Sequence, residues 1–209
     1  CLFVMLFNIG ADTLNFSRDT TCSNHMNKDK IFCTKKIKLL YTGGSTVQRI
    51  DAYVYDQENA GSLLERYALF VSYDGYTNDG ILPGSFQYYK YDPRIPYGLF
   101  SEPKFLVIGT SAEGVVKAAR AQSEDITGLE INPQIIQLMR KNAYNRSGNA
   151  YDGLSKLINT DARTFLEADE NKYDIITLMN AHLLRSTGYV GAPEFLHTVE
   201  SINKLFNHL

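Results

Sequence analysis

The sequence predicts an α/β protein: an incomplete doubly wound parallel sheet, preceded by a small antiparallel β-domain. Three observations carry this expectation. After Pro103, short apolar runs alternate with stretches of helical periodicity. The first of those runs ends in a glycine turn, "KFLVIGTSAEG". Before Gly84, segments rich in Tyr, Val, Ile and Leu are separated by Gly and Asn/Asp turns, with no helix between them.

Residues 1–36 form an apolar start and a polar linker. The start, "CLFVMLFNIG", is too short to cross a bilayer, which takes about 20 apolar residues. It reads as the tail of a membrane helix, the end of a signal segment or a buried strand. Asn8 to Lys36 is polar and aperiodic, hence loop. Over 37–84, "IKLLYT", "VQRIDAYVY" and "RYALFVSY" read as strands, with "TGGS", "DQENAGS" and "YDGYTNDG" as turns. Residues 85–103 form a connector rich in proline and aromatics, packed rather than free.

The parallel part occupies 104–209. Strands are expected at 104–109, 125–131, 154–160 and 173–179. Helices are expected from Glu113 to Gln122, from Pro133 to Tyr144 with proline in its first turn, from Ala162 to Ala168 and from about Pro193 to Leu209. Four strands are few for such a sheet, so the chain reads as a fragment whose fourth strand is an exposed edge.

Composition narrows the partners. With 209 residues, 44% hydrophobic and 21% charged, the chain can bury one core and carry a small appendage. A net charge of -2 and a pI near 6.1 provide no field for phosphate backbones, so nucleic acid is not an expected partner. The three cysteines, Cys1, Cys22 and Cys33, lack the spacing of a zinc site, His25 reads as an exposed polar residue, and no metal is expected. Cys22 and Cys33 pair in an oxidising compartment and are free thiols otherwise.

The glycine turn carries the chemistry. Gly109 stands at the carboxyl end of the first parallel strand, where open sheets bind ligands. A dinucleotide site needs a middle glycine for close approach of a pyrophosphate; here Ser111 brings a Cβ and a hydroxyl, between Gly109 and Gly114. An adenosyl ligand without phosphate has no such need, which favours S-adenosylmethionine or its decarboxylated form. Glu130 ends the second strand, placed to accept both ribose hydroxyl hydrogens. Asp161 follows the third strand and suits either the adenine amino group or the cap of the next helix. A nicotinamide-dependent reductase would use Glu130 but not Asp161, and Ser111 argues against it.

"FLVIGTSAEGVVKAA", "GLEINPQII", "DARTFL" and "KYDIITL", in this order, resemble the spermidine synthase-like branch of the class I methyltransferase fold, which is Rossmann-like. "STVQRIDAYVY" and "LFVSYDG" are similar to the small β-domain of polyamine synthases, and "FLHTVESINKLFNHL" to the helix before their fifth strand. The resemblance runs from about Ser45 to Leu209, with this chain as a truncated member, and is greatest to bacterial members, some of which carry membrane-spanning segments. It implies a transferase for S-adenosylmethionine or decarboxylated S-adenosylmethionine with an unidentified small-molecule acceptor. It leaves the compartment open, and allows a cytoplasmic soluble domain, an upstream membrane anchor and a homodimer.

Carried over by position, the cofactor-binding residues are Gln48, Gly109, Ser111, Glu113, Gly114, Glu130, Ile131, Asp161, Ala162 and Asn180. Polyamine synthases place a proton-accepting aspartate just after the fourth strand, followed by Asp-Pro. This chain has Met179 there and His182-Leu183 in place of the pair. Methionine accepts no proton from an ammonium group, which leaves His182 as the candidate base. Tyr88, Tyr89 and Tyr97 either line an acceptor pocket or pack at the domain junction. The alternative to a transferase is a non-catalytic nucleoside-binding or scaffolding module of a membrane-associated protein.

Overall fold

The computed structural model describes residues 2–4, 14–15, 37–46, 49–55, 69–73, 76–81, 95–96, 98–111, 114–178, 196 and 198–209. Its first sheet is parallel throughout. The central strand β7 (Phe105–Ile108) is buried along its whole length and pairs with β8 (Ile126–Glu130) on one side and β10 (Ile175–Leu178) on the other. β9 (Lys156–Asn159) lies outside β8, and β1 (Leu2–Val4) outside β10, giving the order β1-β10-β7-β8-β9. β1 corrects one expectation. β10 is not an open edge: Leu2, Phe3 and Val4 run parallel to Ile175, Ile176 and Thr177, so the short apolar start supplies backbone partners along its outer side.

Between the strands run α1 (Val115–Arg120), α2 (Pro133–Gln137), continued by a wider π-helical turn over Leu138–Asn142, and α3 (Ala162–Ala168). Alternation along β7 explains the layers, because successive strand side chains point to opposite faces. Phe105 and Val107 pack with Val115, Val116, Ala118 and Ala119 of α1 and with Ile135, Leu138 and Met139. Leu106 and Ile108 face the other way, toward Leu129, Ala162, Leu166, Ile176 and Leu205. Each fully buried Val, Leu, Ile, Met or Phe side chain contributes roughly 1.5–3 kcal/mol.

The last helix, α4 (Val199–Asn207), is shorter than expected because Thr198 caps it; its Oγ1 accepts the Ser201 amide at 3.2 Å. It brings Leu205 to the second layer. His208, just beyond it, is buried with both ring nitrogens near carbonyl oxygens, Nδ1 at 2.9 Å from Asn171 and Nε2 at 3.0 Å from Leu166.

The second sheet is antiparallel, in the order β2-β6-β5-β4-β3, formed by β2 (Leu14–Asn15), β3 (Ile37–Gly44), β4 (Arg49–Tyr55), β5 (Leu69–Tyr73) and β6 (Tyr76–Ile81). Three segments expected as loop or turn are therefore strand: Leu14–Asn15, Gly43–Gly44 at the end of β3, and the "YTNDG" of β6, which is held by pairing with β5 despite its turn-like composition. Ile50, Ala52, Val54, Leu69 and Val71 of this sheet share one apolar cluster with Phe105 and α1. A hydrogen bond from the Tyr41 hydroxyl to Oε1 of Gln134 ties β3 to the start of α2. Among the described residues no helix is long and apolar enough to cross a membrane, and no group of three His, Cys, Asp or Glu could hold a metal ion.

Candidate functional site

The carboxyl ends of β7, β8 and β9 form one cluster, built outward from the glycine turn. Gly109 takes φ 77°, a left-handed conformation that glycine adopts at no steric cost. The amides of Gly109 and Thr110 both donate to the carbonyl of Leu129, at 2.9 and 3.1 Å, which bends the chain over the end of β8. Ser111 is also left-handed, at φ 52°, although it has a Cβ.

That bend brings the Ser111 amide to Glu130. The carboxylate is only 6% exposed, so its charge must be met by donors. Oε2 accepts the Ser111 amide at 2.9 Å and Oε1 accepts the Asn132 amide at 2.9 Å, while the Thr110 hydroxyl stands 3.5 Å from Oε2. Charge-assisted bonds of this kind hold the plane of the carboxylate. Asn132 also caps α2, accepting the Gln134 amide at 3.0 Å, with Pro133 next in the chain where its missing N–H costs nothing. One short turn thus pins the acid and starts the helix.

Asp161 starts α3. Its Oδ1 accepts the amides of Arg163 at 3.0 Å and Thr164 at 3.2 Å. Capping is therefore a role it performs. The loops that carry the two acids are themselves bonded: Thr160 N donates to Glu130 O at 3.2 Å, and the Asn159 side-chain amide donates to Glu130 O at 2.7 Å and Ile131 O at 3.1 Å. Ile131, 45% exposed, follows Glu130, whereas Ala162, after Asp161, is buried. Gly114 precedes α1 and accepts the Ala118 amide at 2.9 Å through its carbonyl.

The structure thus brings Gly109, Ser111, Glu130, Ile131, Asp161 and Ala162 to adjoining strand ends, with Gly114 at the head of α1. Gln48, Glu113, Asn180 and His182 lie outside the described residues, as do Met179, the three cysteines, His25 and Tyr88, Tyr89 and Tyr97.

Sequence reasoning passed over four participants. Asn132 had a signal, an Asn-Pro pair at a helix start. Gly128 had one too, a glycine inside a strand, which marks close approach: a Cβ there would stand 2.6 Å from Cγ2 of Thr110. Thr110 and Tyr151 had none. Tyr151 comes from a short 3-10 turn, Ala150–Gly153, and its buried hydroxyl lies 2.5 Å from the Ser111 carbonyl and 2.9 Å from Oγ1 of Thr110. In α1, Lys117 is fully buried; burial, with the charge of Arg120 added, lowers its pKa to about 8.

No family model matches the sequence, and no curated protein matches it significantly. Solved structures do match. A spermidine synthase from Thermotoga maritima superposes with a TM-score of 0.56 at 20% identity, over 82% of this chain and 53% of that one. A spermidine synthase in complex with the transition state analogue AdoDATO gives 0.58 at 21% identity, over 84% and 56%. The chain spans little more than half the length of either protein. What is shared is the fold: a class I methyltransferase-like parallel sheet with a separate small antiparallel sheet, as in spermidine synthase.

Proposed function

We propose that this chain is a transferase domain that binds S-adenosylmethionine or decarboxylated S-adenosylmethionine and passes a methyl or aminopropyl group to a small-molecule acceptor. The observation that carries the reading is Glu130. It is a nearly buried carboxylate, oriented by two backbone amides, at the end of β8 and hydrogen-bonded through its carbonyl to the loop holding Asp161. A carboxylate can accept about four hydrogen bonds, so a group whose plane is fixed by backbone amides suits a diol. Exposed Ile131 offers an apolar surface beside it for a purine face. The second oxygen of Asp161, left out of the cap, suits an exocyclic amine.

Such a ligand supplies a sulfonium whose attached carbon is open to a nucleophile. This chain's part is to bind and align it, and alignment alone supplies much of the acceleration in a transfer of this type. His182 is retained as the candidate proton acceptor. The comparison supports the reading at the level of fold, and one of the two spermidine synthases was solved with a transition state analogue.

Isothermal calorimetry with S-adenosylmethionine, its decarboxylated form and methylthioadenosine tests the proposal. Binding of at least one in the micromolar range is the expected result; no binding of any at millimolar concentration overturns it.

A further inference from the structure

We infer that Tyr151 is a positioning residue for this site: its hydroxyl holds Ser111 in the left-handed conformation and, through the Ser111 amide, sets the plane of Glu130. The inference rests on the adenosyl-site reading above and adds a residue with no contact to the ligand.

Ser111 occupies a backbone region that a residue with a Cβ enters at a steric cost, so the surroundings must hold it there. Both of its backbone polar groups are tethered. The N–H donates to Glu130 Oε2 at 2.9 Å, and the carbonyl accepts from Tyr151 at 2.5 Å. These two bonds come from different parts of the fold, β8 and the 3-10 turn at Ala150–Gly153. Tyr151 is itself fixed: its ring is buried in the apolar cluster that α1 shares with β7, and its turn packs on α1.

The direction of the bonds follows from counting hydrogens. A phenol carries one, and it goes to the Ser111 carbonyl, which can only accept. The 2.9 Å contact between Thr110 and Tyr151 therefore runs from the threonine to the phenol oxygen. Thr110 spends its hydrogen there rather than on the carboxylate 3.5 Å away. The order is Thr110 to Tyr151 to Ser111, and Glu130 takes its short bonds from the Ser111 and Asn132 amides.

A double-mutant cycle tests this, with Tyr151→Phe, Ser111→Gly and the pair, read by methylthioadenosine calorimetry and by urea denaturation of the ligand-free protein. Tyr151→Phe keeps the ring and its packing. It should weaken binding about tenfold in the wild-type background. With glycine at 111, which enters the left-handed region freely, the loss should shrink to about twofold. Equal losses in both backgrounds would mean that the hydroxyl matters only as a core hydrogen bond, and would overturn the inference. A wild-type protein that binds no adenosyl ligand sinks the functional reading instead. The ligand-free cycle then decides the clamp by itself: coupling between 151 and 111 upholds it and additivity overturns it.

Discussion

A β-carbon on Gly128 would stand 2.6 Å from Cγ2 of Thr110. Real side chains do not approach so closely, so the strand β8 and the turn after β7 can share this space only while 128 is glycine. Gly128→Ala should cost about 1–3 kcal/mol in urea denaturation through local overpacking. Thr110→Ser removes Cγ2 while keeping the hydroxyl, and in the Gly128→Ala background it should recover more than half of that loss. No recovery would place the clash elsewhere, at Leu154.

Glu130→Gln preserves shape but replaces one acceptor oxygen with a donor. That amide group must then face the N–H of either Ser111 or Asn132, leaving a buried donor unmet at a cost of about 1–3 kcal/mol. Affinity for an adenosyl ligand should fall by more than about tenfold in calorimetry. A variant with wild-type affinity would separate this acid from the ligand altogether.

Asp161 has two assignments that different substitutions separate. Asp161→Ala removes the cap that holds the Arg163 and Thr164 amides and should lower stability by about 1 kcal/mol. Asp161→Asn keeps a capping oxygen, so stability should change by a few tenths only. If the free oxygen contacts the ligand, the asparagine variant should still bind several-fold more weakly. Thermal unfolding and calorimetry on the same two proteins decide the matter.

Lys117 predicts a pH dependence on the alkaline side. Burial, then the Arg120 charge, lowers its pKa to about 8 from the ordinary 10.5. Between these values the unfolded chain binds more protons than the folded one, so stability rises with pH across the window. The full shift corresponds to on the order of 3 kcal/mol. Lys117→Met keeps the apolar stem and removes the titration. Its stability relative to wild type should therefore decline by about that amount from near pH 8 to near pH 10.5. Parallel curves for the two proteins in urea titrations would refute the assignment.

How far the sequence could be read follows from which forces are local. Glu130 and Asp161 were placed at strand ends because the alternation of apolar runs and helical periodicity fixes where each strand stops. The span of α3, Ala162–Ala168, was legible for the same reason, helped by its cap. β6 was not, since Tyr, Thr, Asn, Asp and Gly favour turns and only its pairing with β5 makes them a strand. Tyr151 was illegible in principle: nothing in "NAYDGL" points to residues some forty positions earlier, and its role comes from tertiary packing of the turn that carries it. The left-handed φ of Ser111 was hidden likewise, because serine by composition argues against that conformation.

The parallel pairing of β1 with β10 sets the order of events as the chain acquires its structure. Leu2 pairs with Ile175, so this contact closes the longest loop, and brings the largest loop-closure entropy, of any strand pair described, and it is expected among the last to form. Until it does, β10 presents unpaired backbone to neighbouring molecules. Refolding yield should accordingly fall as protein concentration rises, and fall further when the opening apolar residues are removed.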